Sequence, residues 1–236
     1  MKKSRIATLI VFFVLIPLTL IVGSRLSGRT FYVTSTLVIV ELLIPFFLAF
    51  EGRRPQAREL VVLAVMCALA VAGRVAIHIP TFKANFAIIM IAGIAFGPES
   101  GFLVGAISAL ASNFFYSQGP YTPWQMMAYG AGGMLAGFVF AEGRLPRKPV
   151  VMGIFGFLAV AFFVGPLLDT CSVFLVMSRI TLKGAMAFYI SGFPVNLRQA
   201  VATAIVLLVL GKPLLEKLDR IKTKYGILDD EGRKEA

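Results

Sequence analysis

The sequence predicts an all-α integral membrane protein of eight transmembrane helices, a six-helix core with two further helices ahead of it. Three observations carry that prediction. Hydrophobic residues make up 58% of the 236, mean hydropathy is +0.85, and only 15% of residues are charged, where a soluble domain is about one quarter charged. Apolar runs long enough to span or nearly span a bilayer follow one another with short connections, leaving no room for a separate soluble domain. Lys and Arg gather at the ends of those runs, as orientation in a membrane requires.

The first run, about 6–23, is longer than a signal-peptide core and no A-x-A cleavage site follows, so a retained helix is expected. The second run is about 30–50. Both are rich in Leu, Ile, Val and Phe and poor in Gly and Ala, which predicts lipid-facing surfaces. Glu41 is the exception, a carboxylate that must be protonated or paired inside the bundle. The connector "FEGRRPQARE" marks a boundary. The third run, about 58–79, sets Ala64, Ala68 and Ala72 at four-residue spacing on one helix face. The fourth, about 85–97, reaches only about 20 Å against a hydrocarbon core of about 30 Å, so it must be tucked against its neighbours. Pro98 ends it.

The fifth run, about 100–116, places Gly101, Gly105, Ser108 and Ser112 on one face, and the sixth, about 123–141, has Gly133 and Gly137. Small residues at this spacing let helix backbones approach closely in lipid. Pro123 starts the sixth helix, with Trp124 and Gln125 in its first turn. The seventh is about 150–177, with Pro166 as a kink point, and the eighth about 185–211. The tail "KPLLEKLDRIKTKYG" is basic and weakly amphipathic, which predicts contact with anionic headgroups. The chain thus divides into 1–56, an N-terminal two-helix extension and connector; 57–211, a six-helix core; and 212–236, a basic tail.

A net charge of +11 would suggest nucleic acid in a soluble protein, but its distribution assigns it to membrane orientation instead. With the N-terminus inside, the inner segments hold Lys2, Lys3 and Arg5, then Arg53, Arg54 and Arg58, then Arg144, Arg147 and Lys148, and the basic tail. The outer loops hold only Arg25, Arg29, Lys83, Arg179 and Lys183. A multi-pass cell-membrane protein with both termini cytoplasmic is therefore expected.

Several chemistries are excluded. The chain lacks G-x-x-x-x-G-K-[ST], H-E-x-x-H and G-x-S-x-G. Its two cysteines, Cys67 and Cys171, sit inside apolar runs, and with one histidine they imply neither a disulfide nor a metal site. Intramembrane acids are too few for a carboxylate proton relay. No catalytic group and no cofactor is expected.

Polar groups gather instead at the outer ends of four segments. The candidate binding residues are Asn85, Asn113, Tyr116, Gln118, Tyr121, Trp124, Gln125, Asp169, Tyr189, Asn196 and Arg198, with His78, Thr81 and Lys83 close by in sequence. Buried polar groups need partners, and a ligand pocket with aromatic walls would use them. Two plainer readings compete: Trp and Tyr as interfacial anchors, and Asp169 with Arg198 as a structural ion pair.

On these features residues 57–211 resemble the S components, the substrate-binding membrane subunits of energy-coupling factor vitamin transporters. The resemblance is carried by the six-helix unit, the Ala64/Ala68/Ala72 face, "ANFAIIMIAGIAFGPESGFLVGAISALASNFFYSQGP" and "YTPWQMMAYGAGGMLAGF". It implies capture of a vitamin at the outer face, with a transmembrane coupling subunit and two cytoplasmic ATPase subunits as partners. It also implies that the alanine face docks the coupling subunit. The stretch "GPYTPWQM" is similar to cobalamin-type members, so cobalamin is the expected ligand. Riboflavin, thiamine, folate, pantothenate or a similar vitamin is the alternative. Readings from another class are a membrane scaffold and a lipid-modifying enzyme built on Asp169 and His78.

Overall fold

The structure is a computed structural model that describes residues 10–25, 30–52, 56–76, 82–177 and 179–226; His78 and Thr81 lie outside these. The regular elements among the described residues are all helices, with no strand. Helix α1 is Ile16–Arg25, entered through a π turn at Val11–Leu15. Then follow α2 (Thr30–Gly52), α3 (Ala57–Val75), α4 (Asn85–Phe96), α5 (Pro98–Tyr116) and α6 (Thr122–Phe140). Two continuous rods complete the chain, α7 (Pro149–Val176) and α8 (Leu182–Tyr225).

Among the described residues, α7 and α8 are the helices long and apolar enough to cross a membrane, with 28 and 44 residues. The other spans of the expected eight do not meet this measure among the described residues. Helices α3, α5 and α6 have 19 residues each. Arg58, Glu59 and Arg74 charge the first, and Gly, Ser and Pro dilute the other two. Helix α4 has only 12 residues, and all but Ile88 are buried. It is the central rod, surrounded by α3, α5, α6 and α8, so it need not meet lipid at either end.

The C-terminal end of α4 is finished by two cations from elsewhere in the chain. Arg147 donates to the Ile94 carbonyl at 3.1 Å and Lys222 to the Ala95 carbonyl at 2.7 Å. Carbonyls at a helix C-terminus have no partner within the helix, and a cation there also meets the negative end of the dipole. Residues 212–225 continue α8 as helix, with Leu215 and Leu218 buried and Lys222 reaching α4.

Gly97 links α4 to α5 at φ 94°, a conformation that favours glycine, and Pro98 follows at the start of α5, so the chain turns sharply where "FGPESG" predicts. Three prolines explain the π turns. Val11–Leu15, Val160–Val164 and Leu207–Gly211 each end two residues before Pro17, Pro166 and Pro213. A proline lacks an N–H and crowds the carbonyl one turn back, and a wide turn relieves both.

The expectation for α2 is also corrected. Ile39, Leu43 and Phe50 are buried, and Phe46 stacks on Phe102 of α5 with ring centroids 4.2 Å apart. A helix apolar all round gives no sequence sign of which face is covered. Glu41 faces the other way and accepts a short hydrogen bond from Thr19 of α1.

Candidate functional site

Two adjoining arrangements occupy one end of the bundle, where α3, α5 and α7 finish and α4, α6 and α8 begin. The first is built on Arg74. Its guanidinium donates to Ser112 Oγ, to Asn113 Oδ1 at 2.9 Å and to Gln125 Oε1 at 3.5 Å. It also lies over the rings of Tyr116 and Tyr129, 5.1 and 5.4 Å from their centroids. Asn113 donates in turn to Thr122 and Gln125 at 3.1 and 2.9 Å. A planar fork suits this task, since it offers five donors at fixed angles while its faces stack on aromatics.

The connection to α6 is tied down by its own side chains. Gln118 donates to the Leu110 carbonyl and accepts from Thr122, both at 2.9 Å. Tyr121 donates to the Ser117 carbonyl at 2.7 Å. Ser117 sits at φ 76° and ψ 146°, a region that a serine occupies only when its surroundings hold it there.

The second arrangement is a cavity of about 540 Å³ between α6, α7 and α8, within the range of about 300–1,000 Å³ usual for small-molecule sites. Tyr121 and Gln125 line one side, and Asp169, Ser172, Asn196 and Gln199 supply most of the polar surface. The Asp169 carboxylate accepts from Asn196 at 2.7 Å. Gly192 lies against that carboxylate so closely that a β-carbon there would overlap it. Gln125 belongs to both arrangements and joins them.

The expected site residues divide accordingly. Tyr121, Gln125, Asp169 and Asn196 meet at the cavity. Asn113, Tyr116 and Gln118 serve the Arg74 network and its loop. Trp124 is buried behind the cavity, with Phe174 at 5.4 Å. Asn85 is buried at the start of α4. Asn85 Oδ1 and Trp124 Nε1 have no hydrogen-bond partner among the described residues. Tyr189 bonds Thr170 at 2.8 Å outside the cavity lining. Arg198 is exposed and outside the lining, and the ion pair with Asp169 is not formed. Arg198 stands two residues from Asn196, which turns it to another face of α8.

Sequence reasoning missed Arg74 and Gln199. Gln199 had a usable signal, because it lies three residues from Asn196 and so shares its face.

On the flank of the bundle, Ala64, Ala68 and Ala72 are exposed and line an apolar groove of about 780 Å³ with Leu103, Ile107 and Phe115 of α5.

Residues 55–216 match the family described as ECF-type riboflavin transporter, S component. The chain belongs to this family. Membership makes it a membrane-located transporter subunit rather than an enzyme. It also corrects the ligand expectation, because the matching family is of the riboflavin type and the cobalamin assignment has no support. The difference is intelligible: "GPYTPWQM" is only a loop end and the first turns of α6, and so short a stretch identifies a ligand poorly. No curated protein and no solved structure matches the chain.

Proposed function

We propose that this S component captures riboflavin, or a vitamin with the same flat ring and polar side chain, for ATP-driven uptake. The observation that carries the reading is the match of residues 55–216 to the riboflavin-type family. The cavity chemistry supports it. Tyr121 with Leu168 and Leu175 offers flat apolar surface, and Asp169, Ser172, Asn196 and Gln199 offer hydrogen-bonding groups for hydroxyls and ring amides. The binding end faces outside and both termini face the cytoplasm, in keeping with the basic residues at the other end. The family-matched region is the transport core. Its alanine groove receives a helix of the transmembrane coupling subunit, which brings two ATPase subunits.

Titration of the purified full-length protein with riboflavin tests the reading. Quenching of flavin fluorescence with saturation at one ligand per chain is expected, and cobalamin should not compete. A wild-type protein that leaves flavin emission unchanged at micromolar concentrations would overturn it.

A further inference from the structure

Helix α2 lies wholly ahead of the family-matched residues, yet its outer half is built into the back of the candidate site. We propose that α2 is a positioning element for substrate binding: Ile39 seats Trp124, and Thr36 ties down the loop over the cavity. The proposal rests on the cavity between α6, α7 and α8 being the riboflavin site.

Ile39, Trp124 and Cys171 form one buried cluster, with Leu42, Tyr121 and Phe174 packed against it. Three of these residues reach the site directly or by one step. Tyr121 and Cys171 line the cavity, and Trp124 stands between the lining residues Tyr121 and Gln125 in the first turn of α6. Phe174 covers Trp124 from α7 at 5.4 Å, and α2 closes the cluster. The Thr36 hydroxyl donates to the Pro120 carbonyl at 3.4 Å. That contact falls in the loop that holds Ser117 at φ 76°, and a strained conformation persists only where neighbours fix it. Further in, Phe46 and Phe47 both meet Phe102, which anchors α2 to α5. A ligand that meets a site already held in its bound shape loses less affinity to ordering.

Trp124 is the only tryptophan of the chain, so intrinsic fluorescence reads that residue alone. The test uses full-length protein carrying Ile39→Ala, Ile39→Val or Leu37→Ala; Leu37 is on the same helix but 49% exposed. Without ligand, Ile39→Ala should red-shift the emission and raise quenching by acrylamide, while Ile39→Val and Leu37→Ala stay close to wild type. With riboflavin, Ile39→Ala should raise Kd about tenfold, and the other two less than about twofold. Unchanged emission and Kd in folded Ile39→Ala would overturn the proposal. So would equal losses in Ile39→Ala and Leu37→Ala, which would mean general destabilisation. If Ile39→Ala does not fold, Thr36→Ala takes its place. A rise in Kd of about threefold supports the proposal, and no rise overturns it. A wild type blind to riboflavin refutes the substrate reading alone, because the emission arm needs no ligand.

Discussion

Helix α6 has two sides, and they are packed on opposite plans. Toward α4 and α5, backbone meets backbone. A β-carbon on Gly133 would lie 2.7 Å from the Gly101 carbonyl carbon and 2.8 Å from Ile89 Cγ2. Toward α7 and α8, the N-terminal half leaves a cavity of about 540 Å³. The small residues do their work on the first side, where lipid supplies no hydrophobic drive and close approach must hold helices together. The polar residues do theirs on the second. One helix therefore fixes a close-packed half and lines a cavity with the other, and its first turn carries Gln125 into both networks.

The largest effect should come from breaking the rigid half. Gly133→Leu has no room, and the obstacle is backbone, which cannot rotate away. Overpacking costs about 1–3 kcal/mol where side chains can shift, and more is expected here. Yield and thermal unfolding in detergent measure it; a folded variant with wild-type stability would show that the close approach is not needed.

Next in size is an effect on transport alone. Ala68→Trp places a large side chain in the groove of α3 without touching the cavity. Uptake in cells with the coupling subunits should fall to background while riboflavin affinity stays within about twofold. Co-purification of the variant with a full complement of coupling subunit would remove the groove from consideration.

Arg74 tests the junction between the halves. Arg74→Leu strands Ser112, Asn113 and Gln125, and a lost hydrogen bond to a charged group is worth about 1.5–3 kcal/mol. Arg74→Lys should recover little of it, because an ammonium cannot reproduce the fork or stack on Tyr116 and Tyr129. Full recovery of melting temperature in the lysine variant would reduce Arg74 to a simple charge.

Arg74 also shows what could and could not be read in advance. Helix ends were legible, because Gly97, Pro98 and Pro123 act locally. The polar groups at one end of the bundle were legible as a set, because consecutive helices alternate in direction and so share their ends. The partners of Arg74 are 38, 39 and 51 residues away, and no local pattern says that they meet. Helix α2 failed for a related reason: uniform hydrophobicity hides the buried face. The contact of Lys222 was not legible because the basic residues of the tail suit headgroups and helix C-termini equally, and only packing places Lys222 on Ala95.

The smallest effects belong to the cavity half, and they separate shape from charge. Asp169→Asn keeps the size of the side chain and can still accept from Asn196, so stability should change by less than about 0.5 kcal/mol. If the carboxylate faces ligand hydroxyls or a ring N–H, riboflavin affinity should still fall about tenfold, since a charged acceptor is roughly twice as strong as a neutral one. Gly192→Ala works on the same atoms from the other side. Its methyl would meet the Asp169 carboxyl carbon at 2.6 Å, but a carboxylate can rotate where the Gly101 backbone cannot. The variant should fold, with affinity reduced about threefold. Thermal melts and flavin titrations on both proteins read the two quantities separately. Affinity unchanged in both would move the site away from this cavity. A Gly192→Ala protein as unstable as Gly133→Leu would mean that both sides of α6 are rigid, and the division of labour along it would fail.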